Sequence, residues 1–196
     1  MENWSIPMKP VKITEANFKT LDLDQYTMEP KMNGWRVTVV FDPNISVWSR
    51  RKYRVGVPTS LISKLKDLNL PRTTILDGEL WLPNQRGGYE NNQDCYISLW
   101  DITEYNDTNL MKSTIEERKN YLRKISNTES IRIVKSFEAS FDNYQSIKRR
   151  ALELRQQSNS FSCIHGVVLK KKNSPRRDHC SRSIEHPDWL KIVWFD

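Results

Sequence analysis

The sequence predicts a mixed α+β domain with largely antiparallel sheets and flanking helices. Strand-like and helix-like stretches are interspersed along the chain, and several strand pairs are joined by short turns. Size and composition allow such a domain a real core, because 196 residues at 37% hydrophobic and 28% charged is an ordinary globular balance.

Residues 13–18 open a short helix, and a polar loop over 22–26 leads to a strand ending near Lys31. Val37-Thr38-Val39-Val40-Phe41 is β-branched and aromatic and reads as a strand. Asp42-Pro43-Asn44 turns the chain, and residues 45–49 return it, with Arg50 and Arg51 at the end. Pro58 starts a helix with Leu61, Ile62, Leu65 and Leu68 at helical spacing. Residues 73–82 form a strand whose period of two puts Asp77, Glu79 and Trp81 on one face. Two carboxylates in an otherwise apolar strand need company, either a lysine or arginine, or a metal or ribose hydroxyl.

A polar loop with Gly87-Gly88 follows, then a strand over 95–102 in which Tyr96, Ser98 and Trp100 share a face. Ser113-Thr114-Ile115-Glu116 has capping-box character and opens a helix through Tyr121, Leu122 and Ile125. Residues 131–134 are a strand, and residues 142–157 a basic amphipathic helix with Tyr144, Ile147, Ala151 and Leu154 as its apolar stripe. A strand over 164–171 leads to a cationic loop, Lys170 to Arg177, expected to contact phosphates, and a last strand covers 188–195.

The net charge of +7 and pI near 9.3 favour an anionic partner: nucleic acid, nucleotide or a membrane surface. No apolar run approaches the roughly 20 residues that span a bilayer, and the first residues carry no secretory signal. Cys95, Cys163 and Cys180 are widely spaced and without a CxxC, which suits reduced thiols in a cytoplasmic, intracellular protein. Cys163, His165, His179, Cys180 and His186 fit no common zinc spacing, so core or surface placement is expected for them.

The stretch Glu29 to Arg36 organises the rest. A lone lysine, Lys31, is expected in a tight turn made by Asn33-Gly34, where a glycine lets a phosphate approach the backbone. An ordinary lysine, with a reference pKa of about 10.4, is almost wholly protonated at neutral pH. To attack anything it must be activated by desolvation or by neighbouring cations.

In order, these signals resemble the adenylyltransferase domain of ATP-dependent polynucleotide ligases, relatives of the mRNA capping enzymes. Lys31 to Arg36 is similar to the family's lysine-x-(Asp/Asn)-Gly-x-Arg motif, and Ser49-Arg50 to its Ser-Arg motif. Leu76 to Leu80 resembles its Leu-Asp-Gly-Glu-Leu strand, and Trp100-Asp101 its aromatic-Asp motif. Gly166 to Lys170 and Trp189 to Lys191 resemble its last two motifs. Six short patterns in the right order cover nearly the whole chain.

The resemblance implies the ligase and capping-enzyme nucleotidyltransferase fold, which is ATP-grasp-like. It implies ATP and a divalent metal, magnesium or manganese, as cofactors. Lys31 would form a lysyl-AMP, pass AMP to a 5′-phosphate, and let a 3′-hydroxyl seal the strand, with nicked duplex DNA the expected substrate in replication or repair. By the same resemblance Lys31 and Lys191 are catalytic, and Trp100 stacks on adenine, which Glu29 helps to place. Arg36 and Arg50 bind phosphate or the polynucleotide end, Lys170 and Lys191 the nucleotide, and Glu79 the ribose and metal.

Two positions depart from the pattern: His165 replaces a metal-binding glutamate, and Val193 the second lysine of the closing strand. His165 is then either a metal ligand that favours manganese or a packed histidine sharing a face with Val167 and Leu169. The other readings are a pseudo-ligase that binds nucleotide or nucleic acid, an RNA ligase, and a capping-type guanylyltransferase. A single monomeric nucleotidyltransferase domain over 1–196 is expected, without the OB-fold domain that follows in the family.

Overall fold

A computed structural model describes residues 5–81, 95–157, 163–179 and 184–195. Among these residues the strands form two sheets. The first sheet joins β1 (Lys9–Lys12), β2 (Tyr26–Met32), β9 (Phe137–Glu138), β10 (Ile164–Lys171) and β11 (Glu185–Val193) in the order β1-β11-β10-β2-β9. The second runs β4 (Ile45–Ser49), β3 (Trp35–Phe41), β5 (Thr74–Trp81), β6 (Tyr96–Tyr105), β7 (Thr108–Asn109), and β8 (Ile131–Ile133) also pairs with β6. Most pairs are antiparallel; β1 with β11 and β6 with β8 are parallel.

Each sheet buries one face under helices, and the period of two along each strand decides which side chains go there. Val37, Val39, Leu76, Leu80, Ile97 and Leu99 form the core of the second sheet with Leu61 and Leu65 of α2 (Thr59–Asp67) and Leu122 of α3 (Ile115–Leu122). Met28, Val167, Leu169, Leu190 and Ile192 form the core of the first. They pack with Phe18 of α1 (Glu15–Phe18) and with Tyr144 and Ile147 of α4 (Phe141–Gln157). The alternate residues, Glu29, Lys31, Arg36, Glu79, Val168, Lys170, Trp189 and Lys191, line a shared cavity. Two apolar cores thus flank one polar cleft.

The predicted helices are present, with one shift: the capping box of α3 uses Thr114 and Glu117 rather than Ser113 and Glu116. Leu82 and the predicted loop with Gly87-Gly88 lie outside the described residues. Among the described residues no helix is long and apolar enough to cross a membrane.

Candidate active site

The cavity between the sheets has a volume of about 560 Å³, within the range of small-molecule sites. Of the expected site residues, Glu29, Lys31, Arg36, Arg50, Glu79, Trp100, Lys170 and Lys191 all line it. His165 does not.

Lys31 lies at the end of β2, in register with Gly166 of β10. Its amine donates to the Met32 carbonyl at 3.3 Å. The link Asn33-Gly34 closes no hairpin, because β2 and β3 belong to different sheets. Instead it carries the chain across the cleft, held at both ends: Asn33 N–H donates to the Cys163 carbonyl (2.9 Å) and Gly34 N–H to Glu79 Oε1 (2.8 Å). None of the described glycines has positive φ. Gly34 is needed for close approach, since a Cβ there would lie 2.5 Å from the Leu80 carbonyl oxygen and 2.9 Å from Glu79 Cγ.

Trp100 reaches the cavity through a β-bulge. Asp77 pairs with Asp101 and Gly78 with Leu99, leaving Trp100 as an extra residue of β6. The Arg36 guanidinium lies 5.7 Å from its ring centroid, and Lys119 Nζ donates to its carbonyl (2.7 Å). Glu79 lies deep in the fold with its side chain partly open to the cavity. Burial pushes its carboxyl up to about 7, against the Gly34 hydrogen bond and the nearby Lys31 and Arg36. At the other wall, burial and the adjacent Lys31 cation lower the Lys191 ammonium below the usual lysine range.

Behind these groups lie two buried ion clusters. Arg176 is 4% exposed and ties three carboxylates together: Asp77 at 2.6 Å, Asp101 at 3.2 Å and Asp178 at 2.8 Å. Arg36 pairs with Asp77 (2.6 Å) and Arg118 with Asp101 (2.8 Å). Three arginines thus balance three aspartates. Burial alone would raise Asp77 and Asp101, but the guanidiniums around them outweigh it and hold both below the ordinary carboxylate range. In the second cluster Glu29 meets Lys119 at 2.5 Å and Lys170 at 2.8 Å, as ion contacts rather than aligned hydrogen bonds. Lys170, 4.3 Å from the Trp189 ring centroid, is brought down to about 8 by burial, with Glu29 opposing.

The structure adds detail to three expectations. Arg36, expected on phosphate or the polynucleotide end, lines the cavity and also pairs with Asp77 and donates to the Met8 carbonyl (2.5 Å), because a buried aspartate beside it must be neutralised. The loop Lys170 to Arg177 was expected to contact phosphates, but Lys170 and Arg176 are internal cations. His165, expected either at the metal or packed on a strand face with Val167 and Leu169, does not line the cavity. It is the extra residue of a second bulge, between the pairs Ile164–Met32 and Gly166–Lys31, and its ring meets Phe195 edge-on with centroids 5.9 Å apart.

Among the described residues no three His, Cys, Asp or Glu side chains gather as a metal site, and Cys180 lies outside them. Sequence reasoning missed Arg118, Lys119 and Arg176. The signal for Arg118 and Arg176 was the pair of strand aspartates, Asp77 and Asp101, each of which needed a cation, and for Lys119 it was Glu29.

Lys31, Trp100 and the carboxylate Glu79 thus line one cleft between the two sheets. Residues 7–192 match the family described as "ATP dependent DNA ligase domain", and the chain belongs to that family. Among curated proteins it is 24% identical over 191 residues to the SPbeta prophage-derived DNA ligase-like protein LigB of Bacillus subtilis, covering 88% of this chain and 63% of LigB. It is 25% identical over 215 residues to DNA ligase 1 of Saccharomyces cerevisiae, covering 95% of this chain and 28% of that protein. The chain therefore spans less than two thirds of either relative.

Among solved structures, the ligase domain of M. tuberculosis LigD superposes with a TM-score of 0.66 at 17% identity, over 95% of this chain and 58% of that one. The ATP-dependent DNA ligase of bacteriophage T7, in complex with ATP, superposes with a TM-score of 0.59 at 14% identity, over 96% and 68%. These likenesses establish the fold.

Proposed function

We propose that this chain carries out ATP-dependent DNA strand joining through a covalent lysyl-adenylate. The observation that carries this is the convergence of Lys31, Arg50, Glu79, Trp100 and Lys191 on one cavity of nucleotide size. Trp100 offers an aromatic face to the adenine. The Lys31 amine, deprotonated, attacks the α-phosphorus of ATP. A P–N bond forms, the P–O bond to the β-phosphate breaks, and its electron pair leaves with pyrophosphate. Lys191 and Arg50 face the charge that develops on the phosphate oxygens. A DNA 5′-phosphate oxygen then attacks the AMP phosphorus, the P–N bond breaks and the amine is freed; finally the 3′-hydroxyl, losing its proton, attacks the 5′-phosphorus, the phosphodiester forms and the P–O bond to AMP breaks, with AMP leaving.

Glu29, committed to Lys119 and Lys170, positions those cations and the wall below Trp100. Glu79 is the carboxylate that fits a divalent metal: a buried oxygen donor raised by desolvation is relieved by a hard cation, magnesium or manganese. Such an ion, when bound, supplies charge neutralisation to the phosphates.

The domain is proposed to act as a single nucleotidyltransferase unit. One observation favours a second reading, a nucleotide-binding module without chemistry: of the two carboxylates lining the cavity among the described residues, Glu29 is already ion-paired. Sealing of a nicked duplex bearing a 5′-phosphate, with ATP and either metal, decides between them. A sealed product dependent on ATP supports joining; nucleotide binding with no sealing and no AMP transfer supports the module.

A further inference from the structure

At the mouth of the cavity two large side chains face solvent, Trp35 at 50% exposure and Tyr53 at 70%. Among the described residues, the other large exposed hydrophobics, Phe141 and Leu152, sit on α4, away from the cleft. Exposed aromatic area costs hydrophobic free energy unless something covers it. Trp100 already supplies an aromatic face deeper in the same cavity. One mononucleotide does not account for both levels.

Tyr53 is held in place. Ser49 N–H donates to the Tyr53 carbonyl at 2.8 Å and Lys52 N–H to the Ser49 carbonyl at 2.9 Å, closing the tip after β4. The Tyr53 N–H also donates to Ser49 Oγ at 3.2 Å. Lys52 adopts φ 61°, a left-handed conformation uncommon for a non-glycine residue. Apart from Tyr53, the residues from Arg50 to Arg54 are all cationic: Arg50, Arg51, Lys52 and Arg54. The tip therefore presents one aromatic ring among four positive charges. Trp35 lines the same mouth from the start of β3.

We propose that Trp35 and Tyr53 form a stacking site for an unpaired base at the end of a polynucleotide strand, with the phosphate beside that base held by Arg50 and Arg51. Cations track the backbone, and sequence-tolerant aromatic faces take the base, the combination that suits a single-stranded segment. A protein partner with an acidic apolar surface would share the charge requirement. That Trp35 and Tyr53 line the same cavity as Arg50, Arg51 and Lys31 favours a nucleotide. This inference rests on the reading of the cleft as a site that joins strands.

The test compares two 5′-phosphorylated probes, one with an unpaired terminal base and one abasic at that nucleotide, with binding measured by fluorescence anisotropy at fixed salt. The parent protein should prefer the base-bearing probe by about 5- to 100-fold. The double variant W35A/Y53A should lose that preference while its salt slope stays that of the parent. The phenylalanine variant W35F/Y53F should restore the preference. Equal binding of both probes by the parent, or a preference that survives in W35A/Y53A, overturns the proposal, as does absence of binding to either probe. AMP labelling of Lys31, measured on the same preparations, separates the two readings: labelled protein without base preference removes only the stacking site.

Discussion

Replacing Glu79 by glutamine should stabilise the protein in alkali. The carboxyl is raised from an ordinary 4.5 to about 7, chiefly by burial. At 1.36 kcal/mol per pH unit, holding the ionised form in the native state costs about 3 kcal/mol above pH 7. The side chain is partly open to the cavity, so solvent screening brings the expected figure to about 1–3 kcal/mol. Below pH 4.5 the carboxyl is neutral in both folded and unfolded states and the cost vanishes. Between 4.5 and 7 the native state keeps a proton that the unfolded chain has released, so this group lowers stability as pH rises.

Glutamine cannot ionise, and its Oε1 still accepts from Gly34 N–H. Urea unfolding of both proteins at pH 4.0 and 8.5 isolates the effect, because every other carboxylate cancels in the comparison. The variant should gain about 1–3 kcal/mol on the parent between the two pH values and should lose AMP transfer, the trade expected of a functional carboxylate. An offset equal at both pH values, or a parent favoured at 8.5, refutes the assignment of Glu79 as a desolvated site carboxylate.

Gly166→Ala places a Cβ 1.9 Å from the Ile192 carbonyl oxygen, so β10 and β11 must separate; the urea midpoint should fall by an equivalent of about 3 kcal/mol or more. Asp101→Asn leaves Arg118 and Arg176 short of a buried carboxylate and should cost about 3–5 kcal/mol in thermal unfolding. Because its pKa is depressed in the native state, Asp101 contributes stability above pH 3.8 that is lost as pH falls further, so this gap should narrow in acid. DNA affinity should drop steeply between about 50 and 200 mM salt, and Arg51→Ala, at the exposed tip, should reduce the slope by about one. A flat salt response would contradict electrostatic binding by that tip.

Strand identity was legible where alternation is strong. The stretch around Asp77 and Glu79 reads with a period of two, and the structure places Leu76 and Leu80 in the core and Glu79 in the cavity. Short strands escaped because no alternation can show in them: β7 and β9 have two residues each and exist only through their partners β6 and β2. Bulges escaped for a different reason. One of two extra residues in β6 is Trp100, aimed into the cleft, and one in β10 leaves His165 beside Phe195, and both depend on cross-strand register. Partner choice was equally invisible. Asp77 announced its need for a cation, but that the cations would be Arg36 and Arg176, 41 and 99 positions away in the chain, follows only from the fold.

The central claim is that Lys31 is a nucleophile, and labelling with ATP tests it most directly. Incubation with ATP and magnesium or manganese should add one AMP to the peptide containing Lys31, through a bond that is labile in acid and stable in alkali. Lys31→Arg keeps the positive charge but offers no free amine, so it should fold like the parent and carry no label. A Lys31→Arg variant that labels as well as the parent, or a parent that takes no AMP with either metal, contradicts the account.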